Sequence, residues 1–269
     1  MSFFKHEGID FNYEIQGEGI PLLFLHGLGD NLEFAFETFN KDEKIQLISM
    51  DQRGHGKSGH DSKKLSYDRL ASDALALMDY LGIQHFYVGG LSMGAGVALN
   101  LAVHETNRVS GLILLRSSAT DEPMKKEVIE WFRTVSNYLP KKNGKQLFEQ
   151  DPIFQSIKDT YPKAIDTFER YFEDEASVHY YKKFIDIPKD SPIKNKSELT
   201  NLTIPVLILS NKHDVIHPIE YSLFYERYIE NSSYFELTPK TVDAEKHKLE
   251  IDTYIKTFII GIQKTVYKS

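Results

Sequence analysis

Cysteine is absent from the 269-residue chain. Disulfides, thiolate metal sites and a cysteine nucleophile are thereby excluded, so any covalent catalysis has to use another side chain. Also missing is an uninterrupted run of about 18 apolar residues, the length a bilayer-spanning helix needs, and no membrane association is expected. The opening stretch MSFFKHEGID has neither the apolar core nor the small-residue cleavage site of a secretory signal, which points to a cytoplasmic location. Positive charge is in deficit, with 32 Lys and Arg against 39 Asp and Glu and a net charge of −7. Nucleic-acid recognition, which leans on clustered Lys and Arg, is therefore not expected.

What is present is a pattern of short buried strands alternating with helices. Phe11 to Gln16 alternates apolar and polar residues and is followed by turns at Gly17 and Gly19. Leu22 to Leu25 and Ile45 to Met50 are compact apolar runs of the kind found in parallel strands buried on both faces. From Ser66 to Gly82, apolar residues at 67, 70, 71, 74, 75, 77, 78 and 81 define one face of a helix, with Ser66 placed as N-cap and Gly82 at the C-terminal end. Further strands are read at Phe86 to Val88, Leu112 to Leu115, Pro205 to Leu209 and near Tyr234, with helices after Met93, over 218–229 and from about Lys248 to Ile262. Such alternation implies right-handed crossovers and an α/β fold: a mostly parallel central sheet flanked by helices. Between Thr120 and Leu199 the strand signal disappears, and charged and aromatic segments predict a helical insertion. The expected organisation is thus a core built from 1–119 and 200–269, carrying an inserted helical cap over 120–199.

Chemistry is concentrated where strands end. Gly90-Leu91-Ser92-Met93-Gly94 spells G-x-S-x-G at a strand-to-helix junction, where small residues on either side of a nucleophile let the chain turn sharply and expose its hydroxyl. The spelling alone has little specificity, and the position carries the weight. A serine at its free pKa is a poor nucleophile, so a histidine base and an orienting acid are required. Asp214 follows the strand at 205–209, at the sheet edge where ligands gather. His247 follows the last short strand and is the only histidine downstream of His217. Ser92, Asp214 and His247 are therefore expected as nucleophile, orienting acid and base.

Other histidines have plainer readings. His26 ends a strand and is expected to shape the turn beneath the site. His213 and His217 share i,i+4 spacing but lie in a proline-terminated loop, so a metal pair is not expected. The backbone N–H groups of Leu28, in Leu25-His26-Gly27-Leu28-Gly29, and of Met93 are the expected oxyanion donors.

The stretch DQRGHGKSGH, residues 51–60, ends like a phosphate-binding loop, but Asp51 stands where such a loop needs glycine and no helix begins at Lys57-Ser58. Taken with the histidine-glycine turn at 26–29, the Gly90 to Gly94 elbow, Asn211-Lys212-His213-Asp214 with Pro218, and His247 with Glu250, it resembles the α/β-hydrolase superfamily along nearly the whole chain. Serine rather than aspartate at position 92 separates it from the haloalkane dehalogenase and epoxide hydrolase branches. The resemblance is to carboxylesterases, enol-lactonases and carbon–carbon bond hydrolases, although Lys246 stands where relatives often carry glycine before the histidine. It implies a hydrolase acting on a small ester-like substrate with neither metal nor organic cofactor. Lactone, carbon–carbon or aminoacyl amide cleavage, and a non-catalytic binding protein on the same scaffold, remain open alternatives.

Overall fold

The computed structural model describes residues 2–266, and side chains up to residue 261. In chain order it builds β1 (Ser2–His6), β2 (Ile9–Gln16), β3 (Ile20–Leu25), α1 (Glu33–Thr38), β4 (Ile45–Met50), α2 (Tyr67–Tyr80), β5 (Phe86–Leu91), α3 (Met93–His104) and β6 (Val109–Leu115). Six helices follow without a strand: α4 (Lys126–Tyr138), α5 (Gly144–Glu149), α6 (Pro152–Thr160), α7 (Pro162–Arg170), α8 (Glu175–His179) and α9 (Lys183–Asp186). The chain then returns to the sheet through β7 (Val206–Ser210), α10 (Ile219–Tyr228), β8 (Ser232–Glu236) and α11 (Ala244–Val266). Among the described residues, no strand lies between β6 and β7.

All eight strands form one sheet in the order β1-β2-β4-β3-β5-β6-β7-β8. From β4 through β8 the neighbours are parallel, while β1 and β2 form an antiparallel edge hairpin. That hairpin includes β1, which the sequence pattern did not reveal. It turns at Glu7 and Gly8, both with positive φ, a conformation suited to tight hairpins.

Period-two alternation sorts the strand residues onto two cores. Leu23, Leu25, Val88, Leu112 and Leu114 face α2, α3 and the helical insertion, whereas Leu22, Phe24, Leu47, Ile113 and Leu115 pack against α1 and α11 through Ala35, Ile251, Ile255 and Ile259. Both layers are removed from water, and each fully buried aliphatic side chain contributes about 1.5–3 kcal/mol relative to exposure. Helix α2 begins where its sequence signal placed it: the Arg69 N–H donates to the Ser66 hydroxyl. Gly82, at φ 71°, follows its C-terminus in the left-handed region that glycine tolerates.

The turn at 51–58 has a structural occupation. The Asp51 carboxylate accepts from the Leu32 and Lys57 amides and from the Asn12 side chain. The Ser58 hydroxyl donates to the Asp51 carbonyl and accepts from the Asn12 N–H. Gly56 sits against that carboxylate, and a Cβ there would overlap it. The amides of Gly54, His55, Lys57 and Ser58 close on protein acceptors, and the next helix starts only at Tyr67.

Candidate active site

The C-terminal ends of β3, β5, β6 and β7 meet at one place. Ser92 lies between β5 and α3 with φ 57° and ψ −114°, a left-handed conformation that costs a non-glycine residue on the order of 1–3 kcal/mol. Packing enforces it: a Cβ on Gly90 would overlap the Gly94 backbone, and one on Gly94 would overlap the Leu25 carbonyl. The Ser92 N–H is anchored on the Leu115 carbonyl at 3.0 Å, which fixes the turn to the neighbouring strand. Because Met93 is the first residue of α3, its amide has no intrahelical acceptor. A Cβ at Gly27 would lie 3.5 Å from the Ser92 Cβ, so the loop carrying Leu28 passes directly beside the serine. Both amides expected as oxyanion donors are therefore on segments that adjoin Ser92.

The histidine at the serine is His217. Its Nε2 lies 2.8 Å from Ser92 Oγ, and its Nδ1 lies 2.9 Å from Asp214 Oδ2. An ionised carboxylate can only accept, so Nδ1 carries the ring proton and Nε2 is left to accept from the serine hydroxyl. Asp214 is firmly ionised. Burial opposes its charge, but the charge and hydrogen bond of His217, the Arg116 guanidinium and the His217 amide outweigh burial and hold the carboxyl well below the usual carboxylate range. Its Oδ1 accepts from the Ile216 and His217 amides at 3.1 and 3.0 Å. Its Oδ2 takes Arg116 Nε at 3.1 Å and Nη2 at 2.5 Å beside the imidazole.

His247, the base expected from chain order, stands elsewhere, and this is a correction. Helix α11 begins at Ala244, earlier than the sequence pattern placed it, with the Lys246 N–H donating to the Asp243 side chain. His247 consequently sits in the first helical turn, its N–H on the Asp243 carbonyl, and its Nδ1 faces the Thr238 carbonyl at 2.7 Å. No hydrogen bond joins it to Ser92 or Asp214 among those of the described residues. Burial, assisted by the Arg116 and Lys240 charges, pushes the His247 imidazole below its usual range.

A signal for His217 was present in the sequence. In Asp214-Val215-Ile216-His217-Pro218 the aspartate accepts from backbone amides two and three residues on, which closes a turn and brings the i+3 side chain back to the carboxylate. Pro218 then precedes α10 and ends the loop. Arg116 left no comparable trace. It stands at the end of β6 with φ 49°, and His213, before Asp214, has φ 63°. Among the described residues the non-glycine positions with positive φ are Glu7, Ser92, Arg116 and His213, and all but Glu7 lie at this site.

His26 is scaffold, as its position suggested. Its Nδ1 bonds the Gly27 carbonyl at 2.8 Å and its Nε2 accepts from the Gln52 N–H at 3.0 Å, so both ring nitrogens are committed to backbone. The helical segment between β6 and β7 leans on the same loops. The Tyr171 hydroxyl donates to the Leu28 carbonyl at 3.2 Å, and its ring covers Gly29, where a Cβ would overlap it. Lys183 reaches from α9 to the Gly54 carbonyl at 2.8 Å. Ser92 is left only 7% exposed.

Comparison with known proteins agrees with the fold. Residues 20–241 match the model of the alpha/beta hydrolase fold family. The AB hydrolase superfamily protein YisY of Bacillus subtilis is 29% identical over 83% of this chain and 84% of its own length. A 2-hydroxymuconate semialdehyde hydrolase of Pseudomonas putida is 26% identical over 84% and 81%. A shorter segment, 46% of the chain, is 32% identical to the dihydrolipoyllysine-residue acetyltransferase component of an acetoin cleaving system from Pseudomonas putida, of which it spans only 34%. Among solved structures, a thermophilic esterase from Thermogutta terrifontis aligns with a TM-score of 0.73 at 23% identity, over 95% of this chain and 96% of that one. The enol-lactonase from Burkholderia xenovorans LB400 aligns with a TM-score of 0.70 at 18% identity, over 99% and 100%. Among the described residues, no helix is long and apolar enough to cross a membrane.

Proposed function

Since the chain belongs to the alpha/beta hydrolase fold family, we propose that it is a serine hydrolase that cleaves a small ester-like substrate through an acyl-enzyme on Ser92. The observation that carries this reading is the imidazole of His217, bonded on one side to Asp214 and on the other to the Ser92 hydroxyl. Ser92 Oγ attacks the carbonyl carbon as its proton passes to His217 Nε2, and the Leu28 and Met93 amides receive the negative charge that develops on the carbonyl oxygen. Nε2 then returns the proton to the departing alcohol. A water deprotonated by the same nitrogen attacks the acyl carbon and releases the acid, which regenerates the serine. Every proton lost by a nucleophile is gained by a leaving group.

The strained elbow supports the reading, because Ser92 is held with its hydroxyl toward the imidazole at a backbone cost that a mere turn would avoid. In this reading the 120–199 segment is a cap. It packs on the loop beside the serine, where the Tyr171 hydroxyl bonds the Leu28 carbonyl, and its aromatics Trp131, Phe132 and Phe168 are buried against one another.

A fluorophosphonate probe combined with the variant Ser92→Ala tests the proposal. The wild-type protein is expected to label at Ser92 alone, and the variant to lose on the order of a million-fold in kcat on an activated ester. Unchanged turnover by the variant removes the acyl-enzyme mechanism. Failure of the wild type to label indicates a binding protein on a hydrolase scaffold. A panel setting short esters against a lactone and an aminoacyl amide then assigns the substrate class.

A further inference from the structure

Arg116 is tied into the site more closely than a peripheral ion pair. Its N–H donates to the Leu209 carbonyl at 2.7 Å, and its positive φ turns the side chain across the end of β7. There Nε and Nη2 both donate to Asp214 Oδ2, the same oxygen that receives the His217 ring proton. Nη2 also approaches His217 Nδ1 at 3.3 Å, a contact between two donors that is favourable only because the carboxylate lies between them. The Arg116 side chain is 20% exposed and that of Asp214 12% exposed, so solvent screens the pair weakly.

A carboxylate with two acceptor oxygens can rotate unless both are held. Here the Ile216 and His217 amides hold Oδ1, and only Arg116 and the imidazole hold Oδ2. When the imidazole gives up its proton from Nε2 during turnover, the guanidinium is the permanent charge that keeps Oδ2 in place. The charged or titratable groups around this carboxylate are His217 on its own loop and Arg116 from β6, with His247 of α11 also within electrostatic reach of Arg116.

We propose that Arg116 is a positioning residue, resting on the serine hydrolase reading: it clamps Asp214 against His217. The guanidinium touches no reacting atom. It acts through the aspartate, by geometry and by charge.

Arg116→Met and Arg116→Lys, assayed on a small neutral activated ester across pH 5–9, test this. Arg116→Met is expected to lose about 10–100-fold in kcat with KM nearly unchanged. Arg116→Lys keeps the charge but not the fork, so its kcat should fall by less than that of Arg116→Met. Arg116→Met with wild-type kcat overturns the proposal. If Arg116→Met does not fold, Arg116→Lys with undiminished kcat overturns it equally. Ser92→Ala in the same assay separates the two levels: turnover by that variant defeats the hydrolase reading, whereas an inert Ser92→Ala beside a wild-type-like Arg116→Met defeats only the role of Arg116.

Discussion

Two clusters near the same sheet edge use the same side chains for opposite ends. One is the turn after β4, with Asp51, Arg53 and His55 packed against His26 and Asp73. The other is the loop after β7, with Asp214 and His217 packed against Arg116 and Ser92. In the first, Arg53 is wholly buried and grips Asp73 with two bonds of 2.8 and 2.6 Å, while His26 and His55 bond backbone carbonyls. Burial pushes both imidazoles below their usual range, His55 the further. In the second, the imidazole spans a carboxylate and a hydroxyl. A histidine committed to backbone shapes the chain, whereas one set between a carboxylate and a hydroxyl can move a proton. Residue type does not distinguish the two, but bonding partners do.

The sharpest way to break this contrast is to remove histidines one at a time. His217→Ala is expected to lose on the order of a million-fold in kcat with little change in Tm, and His247→Ala to change kcat little. The opposite result, inactivity of His247→Ala beside an active His217→Ala, would return the base to the position that chain order suggested.

Next in size is the scaffold cluster, where the effect should fall on stability. Asp73→Ala leaves the Arg53 guanidinium buried with only the partly exposed Asp61 and Glu7 as partners. A cost of about 3 kcal/mol is expected, read as a Tm loss of about 6–12 °C, with kcat of the folded fraction unchanged. A Tm within a degree of wild type shows that the pair is not structural.

A further effect, read only against pH, concerns Lys183. Lys183 is buried and its ammonium is pushed down to about 7, because burial outweighs the attraction of Asp174, Asp30 and Asp51. Between about 7 and its ordinary 10.5 the unfolded chain binds a proton that the folded protein does not. Stability from this group is therefore present at high pH and is lost as pH falls toward 7, at up to ~1.4 kcal/mol per pH unit. Lys183→Met should flatten that slope relative to wild type, as denaturant unfolding at several pH values would read. The buried neutral His26 and His55 act the same way lower down, so stability should fall further as pH drops below their unfolded value of 6.5. Equal slopes for wild type and Lys183→Met would leave Lys183 without this role.

How much of this could be read from the residues differs from element to element. The strand at Ile45 to Met50 and the cap of α2 at Ser66 follow local rules, apolar runs and side-chain capping, and they stand where those rules put them. The Gly90 to Gly94 elbow was legible for the same reason, since glycines there answer a local steric demand. Edge strand β1 was not, because four of its five residues are exposed or partly so and pairing with β2 defines it. His247 misled because chain order is a weak constraint on distance: α11 begins early, and its first turn directs the ring to Thr238.

Sequence by itself determined the parallel α/β architecture, the absence of thiol chemistry and the placing of Ser92 and Asp214 at the sheet edge, because each follows from periodicity, composition or strand ends. Tertiary structure alone decided which histidine meets the serine and that Arg116 braces the aspartate. Both depend on side chains from β5, β6 and the loop after β7 converging within 3.5 Å. Such convergence is set by the register and twist of the sheet, and no local pattern encodes it.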